Sequence, residues 1–579
     1  MKCGLEIHQR ICSRKLFCEC SAVVKKEFSH SIKRILHPVK GESGLLDKAV
    51  LFESLRKRTF TYKFNDFNTC LVETDSEPPH EINKEALITA LSLARHFKMF
   101  IPDEIHVMRK TVIDGSNTSG FQRTMVIGLG TKDSVIKTAE GNVRIKELDL
   151  EEESARIISK DGEYSINSLG IPLIELSTYP DIKSPEQAYE VALAIGEILR
   201  LTGKAQRGIG TIRQDVNISV PGGARVEIKG FQELKELPEL IRLEVERQKS
   251  LIKLKNELTG YEIRRVNLTK FFKKSGKKVI GLVLPGFKGL LSRKLNEKKT
   301  LGNELADYAR AMGVGGIIHE DEDLAKYDLV EEFAVARNEL ALDESDLLLI
   351  IKGDDENLIN KALDFVEERV YLLNDKVPSE TRVAGKDGVS SYARPMPGGE
   401  RMYPETDIPL IIPPADIPEV ETKSEREKEL KSLGLTDDLI SQLVLHPRFS
   451  LFRELVKLNV KPLLIARLLV DVPKYVKKHY HKDVSVLADS HFREIVNLLS
   501  DNKILFEAVP EIIAKICDSP DASVPAVAEK YRILSRDELK RVIMKVRKNN
   551  KGLSSRALMG IVMKEVRGRA KGSEVMKLL

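Results

Sequence analysis

The sequence predicts a multi-domain α+β protein with a strand-rich antiparallel body, an inserted α+β unit and an all-helical carboxy-terminal part. Three observations predict it. A chain of 579 residues exceeds what one core organises, so about three to five units are expected. The residue pattern changes twice, from alternating strand-like segments to mixed strand and helix patterns near residue 265, then to helical periodicity after Glu421. Charge is segregated as well. From Lys431 to Leu579 there are 28 Lys and Arg against 17 Asp and Glu, a balance of +11, which leaves the preceding 430 residues at −5.

A hydrophobic content of 42% and a charged content of 31% exclude a disordered chain. No apolar run approaches the ~18 residues of a membrane span, and the amino terminus lacks an apolar signal segment. The expectation is a cytosolic, soluble protein. Six cysteines, unevenly placed, do not make a disulfide framework. The last 49 residues hold 14 basic and 4 acidic side chains, which suggests a polyanionic partner; a solubilising helical surface is the plainer alternative.

The body opens with "CGLEIHQRI", where Leu5 and Ile7 alternate with Glu6 and His8. That is a strand with one buried face and with a carboxylate and an imidazole on the other. "GIPLIELST" carries Glu175 as its single charge, and "LDLEEESARI" holds Glu151, Glu152 and Glu153 in succession. In "SPEQAYEVALAIGEILRLTG", Ser184 is an N-cap, Pro185 takes the first helical position and Gln187 completes a capping box. "TIRQDVNISV" and "ARVEIKG" are joined by "PGG", a hairpin signal. Matched register puts Arg213, Asp215, Asn217, Arg225, Glu227 and Lys229 on one face of that ribbon.

Within residues 265–390, "KKVIGLVLPGF" and "DLLLIIKG" read as strands, "LGNELADYARAMG" and "NLINKALDFVEERVYLL" as helices. "PMPGGERMYPETDIPLIIPPADIPEV" is too rich in proline for regular structure and reads as a connector. Near the end, "SRDELKRVIMKVRKNN" combines a capping box at Ser535 and Glu538 with an apolar stripe at Leu539, Val542, Ile543 and Val546. Lys540, Arg541, Lys545, Arg547 and Lys548 lie on its other face.

A solvated face of an antiparallel sheet also alternates, and any one of these strands is explained that way. Together they hold carboxylates interleaved with Arg, Lys, Asn and His. Hard divalent cations such as Mg²⁺ take oxygen ligands, and Arg or Lys beside them hold phosphate oxygens, so the pattern points to a Mg-nucleotide site. It is neither a P-loop nor a Rossmann turn, because no G-x-x-x-x-G-K-[ST] occurs and "GLGTK" and "GIGTI" are too short for a dinucleotide fingerprint. Cys18 and Cys20 in "LFCEC", with Cys3 and Cys12 nearby, could begin a zinc site, but no second C-x-x-C follows; Cys70 and Cys517 read as isolated structural thiols.

In order along the chain, "GLEIHQRI", "KLFCEC", "LEEESARI", "GIPLIELSTYPDIKSPEQAYE", "IRQDVNISV" and "RVEIKGFQEL" resemble the B/E family of glutamyl-tRNA amidotransferase subunits. "ERMYPETDIPLIIPP" resembles its later proline-rich loop, and "GLSSRALMGIVMKEV" its tail. The 265–390 segment is similar to the insertion domain of bacterial-type aspartyl-tRNA synthetases, a feature of the archaeal E branch. "SINSLGIPLIE" lacks the Asn-Arg pair common in the B branch. The chain starts almost at the first motif, with little of the leader that the family implies.

The resemblance implies a cradle-like catalytic body over 1–264, the inserted domain over 265–390, and a return through the proline-rich loop over 391–424. A helical domain over 425–514 and a basic tail over 515–579 would follow. It implies an ATP-dependent carbon–nitrogen ligase. ATP phosphorylates the γ-carboxylate of glutamate mischarged on the tRNA for glutamine. Ammonia from an asparaginase-like D subunit then displaces phosphate, glutamine or asparagine being the amide donor. The family suggests two copies of each subunit. Carried over onto this sequence, Glu6, His8, Glu151, Glu152 and Glu175 are metal-ligand candidates, and His8 could instead position the substrate carboxylate. Asp215, Asn217 and Glu227 line the same site, while Arg213 and Lys229 contact phosphate or carboxylate. His8, Glu175, Arg213 and Lys229 form the catalytic set. Glu405 and Asp407 are second-tier candidates. The helical and tail regions grip tRNA through its phosphates. Two rival readings remain open: a non-catalytic tRNA-binding subunit, and a B-type subunit working with an amidase partner.

Overall fold

The computed structural model describes residues 1–159, 161–258, 261–273, 276–404 and 407–579. The chain divides into two compact units, Met1–Gly196 with Lys204–Val420 and Glu197–Gly203 with Glu421–Leu579. The first is mixed α and β with mainly antiparallel sheets; the second is helical. No helix among the described residues is long and apolar enough to cross a membrane.

The first unit is built on an eleven-stranded sheet among the described residues. At its centre Lys2–Arg10 pairs antiparallel with Pro172–Thr178 on one side and Ile212–Ser219 on the other. Outward from Pro172–Thr178 come Gly141–Glu152, Phe121–Leu129, Met108–Thr111 and Met402–Tyr403, with Val135–Thr138 pairing Gly141–Glu152 off this path. Outward from Ile212–Ser219 come Val226–Phe231, Glu380–Ala384 and Ser390–Pro395. The hairpin turns at Pro221–Gly223, where Gly222 sits at φ 77°, a left-handed conformation that its missing Cβ permits. Val226–Phe231 and Glu380–Ala384 run parallel, the exception in an otherwise antiparallel sheet.

Period-two alternation divides the faces as the pattern requires. Cys3, Leu5 and Ile7 are fully buried on one, while Glu6, His8 and Arg10 project from the other. Helix Lys84–His96 packs against Phe121–Leu129 and Gly141–Glu152, and helix Leu237–Glu257 against Ile212–Ser219.

A second sheet, Arg264–Asn267, Lys278–Leu284, Leu347–Gly353 and Ile318–His319, contains both apolar runs read from the 265–390 segment. Its strands lack alternation because both faces are covered. Leu282 and Leu349 pack with Leu305 and Leu363 of helices Leu301–Ala311 and Glu356–Asp375, whereas Val283 and Ile350 pack with Phe333 of Val330–Glu339.

The helical unit has one core running from Leu430 to Ala528 and another from Leu534 to Val575. Residues 515–528, placed in the tail by the resemblance, therefore pack in the first of these. The capping box at Ser535 and Glu538 opens helix Arg536–Asn549. Leu539, Ile543 and Val546 face its core, and Lys540, Arg541, Lys545, Arg547 and Lys548 are exposed.

Leu5 lies in the central strand at 0% exposure. Leu5→Ala is expected to lower unfolding free energy by about 2–5 kcal/mol in a urea titration of this unit's transition.

Candidate functional site

The polar face of the central strands gathers two groups of potential ligands, and the strand register explains both. His8 stands opposite Glu175 on one neighbour and Arg213 on the other; Glu6 stands opposite Asp215. Glu151 reaches the same face from Gly141–Glu152, and Glu227 from Val226–Phe231. One oxygen or nitrogen each from His8, Glu151 and Glu175 lie within 4.8 Å of one another, as do oxygens of Glu6, Asp215 and Glu227. Glu6 and His8 are two residues apart on one strand, so the groups sit about 7 Å apart along it.

His8 Nε2 lies 3.2 Å from Glu175 Oε2, and Lys110 Nζ lies 2.9 Å from Glu151 Oε1 and 3.9 Å from Glu175. Gln122 Nε2 donates to Glu151 Oε2 at 3.1 Å. In the second group, Lys229 Nζ bridges Asp215 at 2.8 Å and Glu227 at 2.9 Å. Gly230 N–H donates to Asp215 Oδ1 at 2.8 Å, and Asn217 Nδ2 donates to Glu6 Oε1 at 2.9 Å.

These contacts set the charge states. Burial opposes ionisation of Asp215, yet Lys229, His8 and the Gly230 N–H draw it down to about 2. Burial and repulsion from Glu175, Glu227 and Asp215 push Glu6 up to about 7. Burial would lower His8, but Glu175 and Asp215 hold it above the usual imidazole value. Burial would raise Glu175, but Lys110 and His8 keep it well below the carboxylate range.

Two family models match the sequence, one described as the GatB/GatE catalytic domain over residues 1–418 and one as the GatB domain over residues 450–579. Curated relatives named as the E subunit of glutamyl-tRNA(Gln) amidotransferase are similar along the whole chain. That of Methanocaldococcus jannaschii is 41% identical, covering 100% of this chain and 98% of the relative. Those of Sulfolobus acidocaldarius and Saccharolobus solfataricus are 40% and 39% identical, each covering 100% of this chain and 97% of the relative. The chain belongs to the family of glutamyl-tRNA(Gln) amidotransferase E subunits.

In this family member, Glu6, His8, Glu151, Glu175, Asp215, Glu227 and Lys229 converge on the two groups, with Asn217 beside them. Arg213 stands at their edge, paired with Glu153 at 3.0 Å. Glu152 is not brought in. It projects to the opposite face, where Arg123 donates to it from the backbone N–H at 3.1 Å and from Nη1 at 3.3 Å. Asp407 is on that side too, held by Arg123 at 2.9 Å and Arg109 at 3.1 Å beside a cavity of ≈ 770 Å³. Glu405 lies outside the described residues.

The candidate set read from the sequence lacks Lys110, Gln122, Asp149 and Arg10, and also Glu153, which the sequence shows only as part of an acidic run. Parity along "LDLEEES" carries the signal for two of them, since Asp149, Glu151 and Glu153 alternate with Leu150 and Glu152. Burial would raise Glu153, but Arg213 and Arg10 draw it down to about 2. Asp149 stands opposite Glu175, and burial and repulsion from Glu175, Glu147 and Glu151 raise it well above the usual range. Lys110 lies in a four-residue strand with no pattern of its own.

Six carboxylates thus face two lysines and one imidazole. His8 Nδ1 and Asp149 Oδ1 are buried without a hydrogen-bond partner among the described residues. This oxygen-rich, under-neutralised donor set fits hard divalent cations.

Cys70, read as isolated from the sequence, is placed by the fold beside Cys18 and Cys20, and Glu73 completes a group with ligand atoms within 4.8 Å. Cys18 Sγ donates to Glu73 Oε1 at 2.8 Å, and the Lys15 ammonium is buried 3.6 Å from that oxygen. Three sulfurs and a carboxylate could hold zinc tetrahedrally. Cys3 and Cys12 take no part in this group.

Full-length chain purified without chelator is expected to carry about one zinc per chain by mass spectrometry, lost in Cys70→Ser and kept in Cys12→Ser. Glu6 must shed its proton to act as a ligand. Mn²⁺ affinity measured by electron paramagnetic resonance is therefore expected to rise as pH rises from about 6 to about 8, and Glu6→Gln to bind more weakly with part of that dependence gone. The rest follows His8, which must also shed its proton to ligate.

Proposed function

We propose that this chain is the activating subunit of a tRNA-dependent amidotransferase, converting Glu-tRNA(Gln) to Gln-tRNA(Gln) with ATP as phosphoryl donor. The observation that carries this reading is the pairing of two carboxylate groups, each with its own lysine, on one face of adjoining strands. A γ-carboxylate resists attack by ammonia because its negative charge repels the nucleophile and oxide is a poor leaving group. Phosphorylation turns one carboxylate oxygen into a leaving phosphate. Ammonia then attacks the acyl carbon, a C–N bond forms as the C–O bond to phosphate breaks, and the nitrogen sheds a proton.

His8, Glu151 and Glu175 would hold one Mg²⁺, and Glu6, Asp215 and Glu227 another. Mg²⁺ bound there supplies charge neutralisation for the transferring phosphoryl group. The residues of the chain do the rest. Lys229, with a side chain 34% exposed, keeps Asp215 ionised and can present its one remaining N–H bond to a phosphate oxygen. Arg213, fixed by Glu153 through Nη1 and standing opposite His8, would contact phosphate or carboxylate. In the alternative role, His8, oriented by Glu175, positions the substrate carboxylate in place of taking the cation.

The body over 1–264 forms the cradle, the 265–390 region is the inserted aspartyl-tRNA-synthetase-like domain, and the exposed lysines and arginines of Arg536–Asn549 contact tRNA phosphates. An asparaginase-like D subunit supplies ammonia, two copies of both chains assemble, and the complex works in the cytoplasm. That the relatives are named as one subunit among others supports an enzyme made of more than one kind of chain.

The assembled enzyme is expected to release phosphate from ATP in the presence of Glu-tRNA and not in its absence. Glu175→Gln is expected to slow that release at least about a hundredfold at saturating tRNA. Turnover without Glu-tRNA, or unaltered turnover in Glu175→Gln, would overturn the assignment.

A further inference from the structure

The parallel seam between Val226–Phe231 and Glu380–Ala384 poses a register problem that no hairpin solves, since Glu227 and its partner Thr381 are 154 residues apart in sequence. Thr381, 1% exposed, projects to the site face and donates its hydroxyl to Glu227 Oε2 at 3.1 Å. Its neighbours Glu380 and Arg382 project to the other face and are equally buried.

There Arg382 donates from Nη2 to Glu304 Oε2 at 3.0 Å and from Nη1 to Glu380 Oε1 at 2.5 Å. Arg247 of helix Leu237–Glu257 donates to Glu304 Oε1 at 2.6 Å. The Tyr308 hydroxyl donates to Glu380. Glu304 and Tyr308 belong to helix Leu301–Ala311, in the part of the inserted region that precedes strand Glu380–Ala384, so one buried carboxylate ties that part to the site-bearing sheet. A slip of one residue would turn Arg382 toward the site and Thr381 into this network, depriving the buried Glu304 carboxylate of that guanidinium. Fixing register is the best-attested use of such buried ionic groups.

We propose that Thr381 is a positioning residue for Glu227, and that the Arg382–Glu304–Arg247 network makes the inserted region set the geometry of the Glu6–Asp215–Glu227 cation site. The inference rests on the cation reading above and adds to it a residue and a route of control. Thr381 orients a ligand oxygen and touches neither phosphate nor substrate. Its loss is therefore expected in cation binding and not in recognition of tRNA.

The test titrates full-length chain with Mn²⁺, read by electron paramagnetic resonance. It also follows the Mg²⁺ requirement and the KM for Glu-tRNA of the assembled enzyme. Thr381→Val keeps the branched shape and removes the donor. It is expected to weaken the site that Glu6→Gln also weakens by about tenfold or more, and to raise the half-saturating Mg²⁺ in step, with KM for Glu-tRNA unchanged. Thr381→Ser, which restores the hydroxyl, is expected to recover most of the affinity. Native Mn²⁺ binding in Thr381→Val, or no recovery in Thr381→Ser, overturns the positioning role. Glu304→Gln is expected to weaken the same site in a chain that still folds by circular dichroism; where it does not fold, Arg382→Lys takes its place. Native affinity in the folded variant overturns the control by the inserted region. A native chain that binds no Mn²⁺ removes the cation reading and this inference with it, whereas native binding indifferent to Thr381→Val removes the inference alone.

Discussion

The hydrogen-bonded register of Lys2–Arg10 between its two neighbours is the constraint on which the rest depends. Pairing His8 with Glu175 and Arg213, and Glu6 with Asp215, brings charged groups from three strands onto one face. The same register buries Cys3, Leu5 and Ile7 on the other. A shift of one residue would exchange the faces, putting the carboxylates into the core and the apolar side chains into the site. Fold and site are therefore secured by one interaction, and the hydrophobic face is what makes the polar one reliable.

Crowding carboxylates on a sheet face works against folding, because like charges a few ångströms apart in a poorly solvated place repel strongly. The structure offsets this unevenly. Glu153 is fully matched by Arg10 and Arg213, and Asp215 by Lys229 and a backbone N–H. Glu6 and Asp149 are left under-matched, and both are raised above the ordinary carboxylate range. Residual charge of this kind is a stability cost that a bound cation would relieve, so binding and folding of the face are coupled.

The protein meets the edge of that face with a different device. A parallel pairing far apart in sequence is fixed by buried ions on its far side, where Glu304 accepts from both Arg382 and Arg247. Replacing such a network with apolar groups of similar volume is often neutral for stability, so its use here concerns specificity of register more than strength. The cysteine group solves a comparable problem with sulfur, joining "LFCEC" to a turn some fifty residues later (Cys18 and Glu73 are 55 apart).

Periodicity alone located the central strand, the polar run with Glu175 and the hairpin, because a half-buried strand must alternate and a Pro-Gly-Gly turn must reverse the chain. It also marked the helix caps at Ser184 and Ser535. Parity within "LDLEEES" held the distinction between Glu152 and its neighbours, but consecutive identical residues hide it unless the strand's phase is known. What the sequence could not decide were the partners that come from far along the chain: Lys110 on Glu151, Arg10 on Glu153, Cys70 beside Cys18, and Thr381 on Glu227. Local pattern fixes which side of an element a residue occupies, since that follows from backbone geometry. Which residue stands opposite follows from how distant elements pack, and only the tertiary structure determines that.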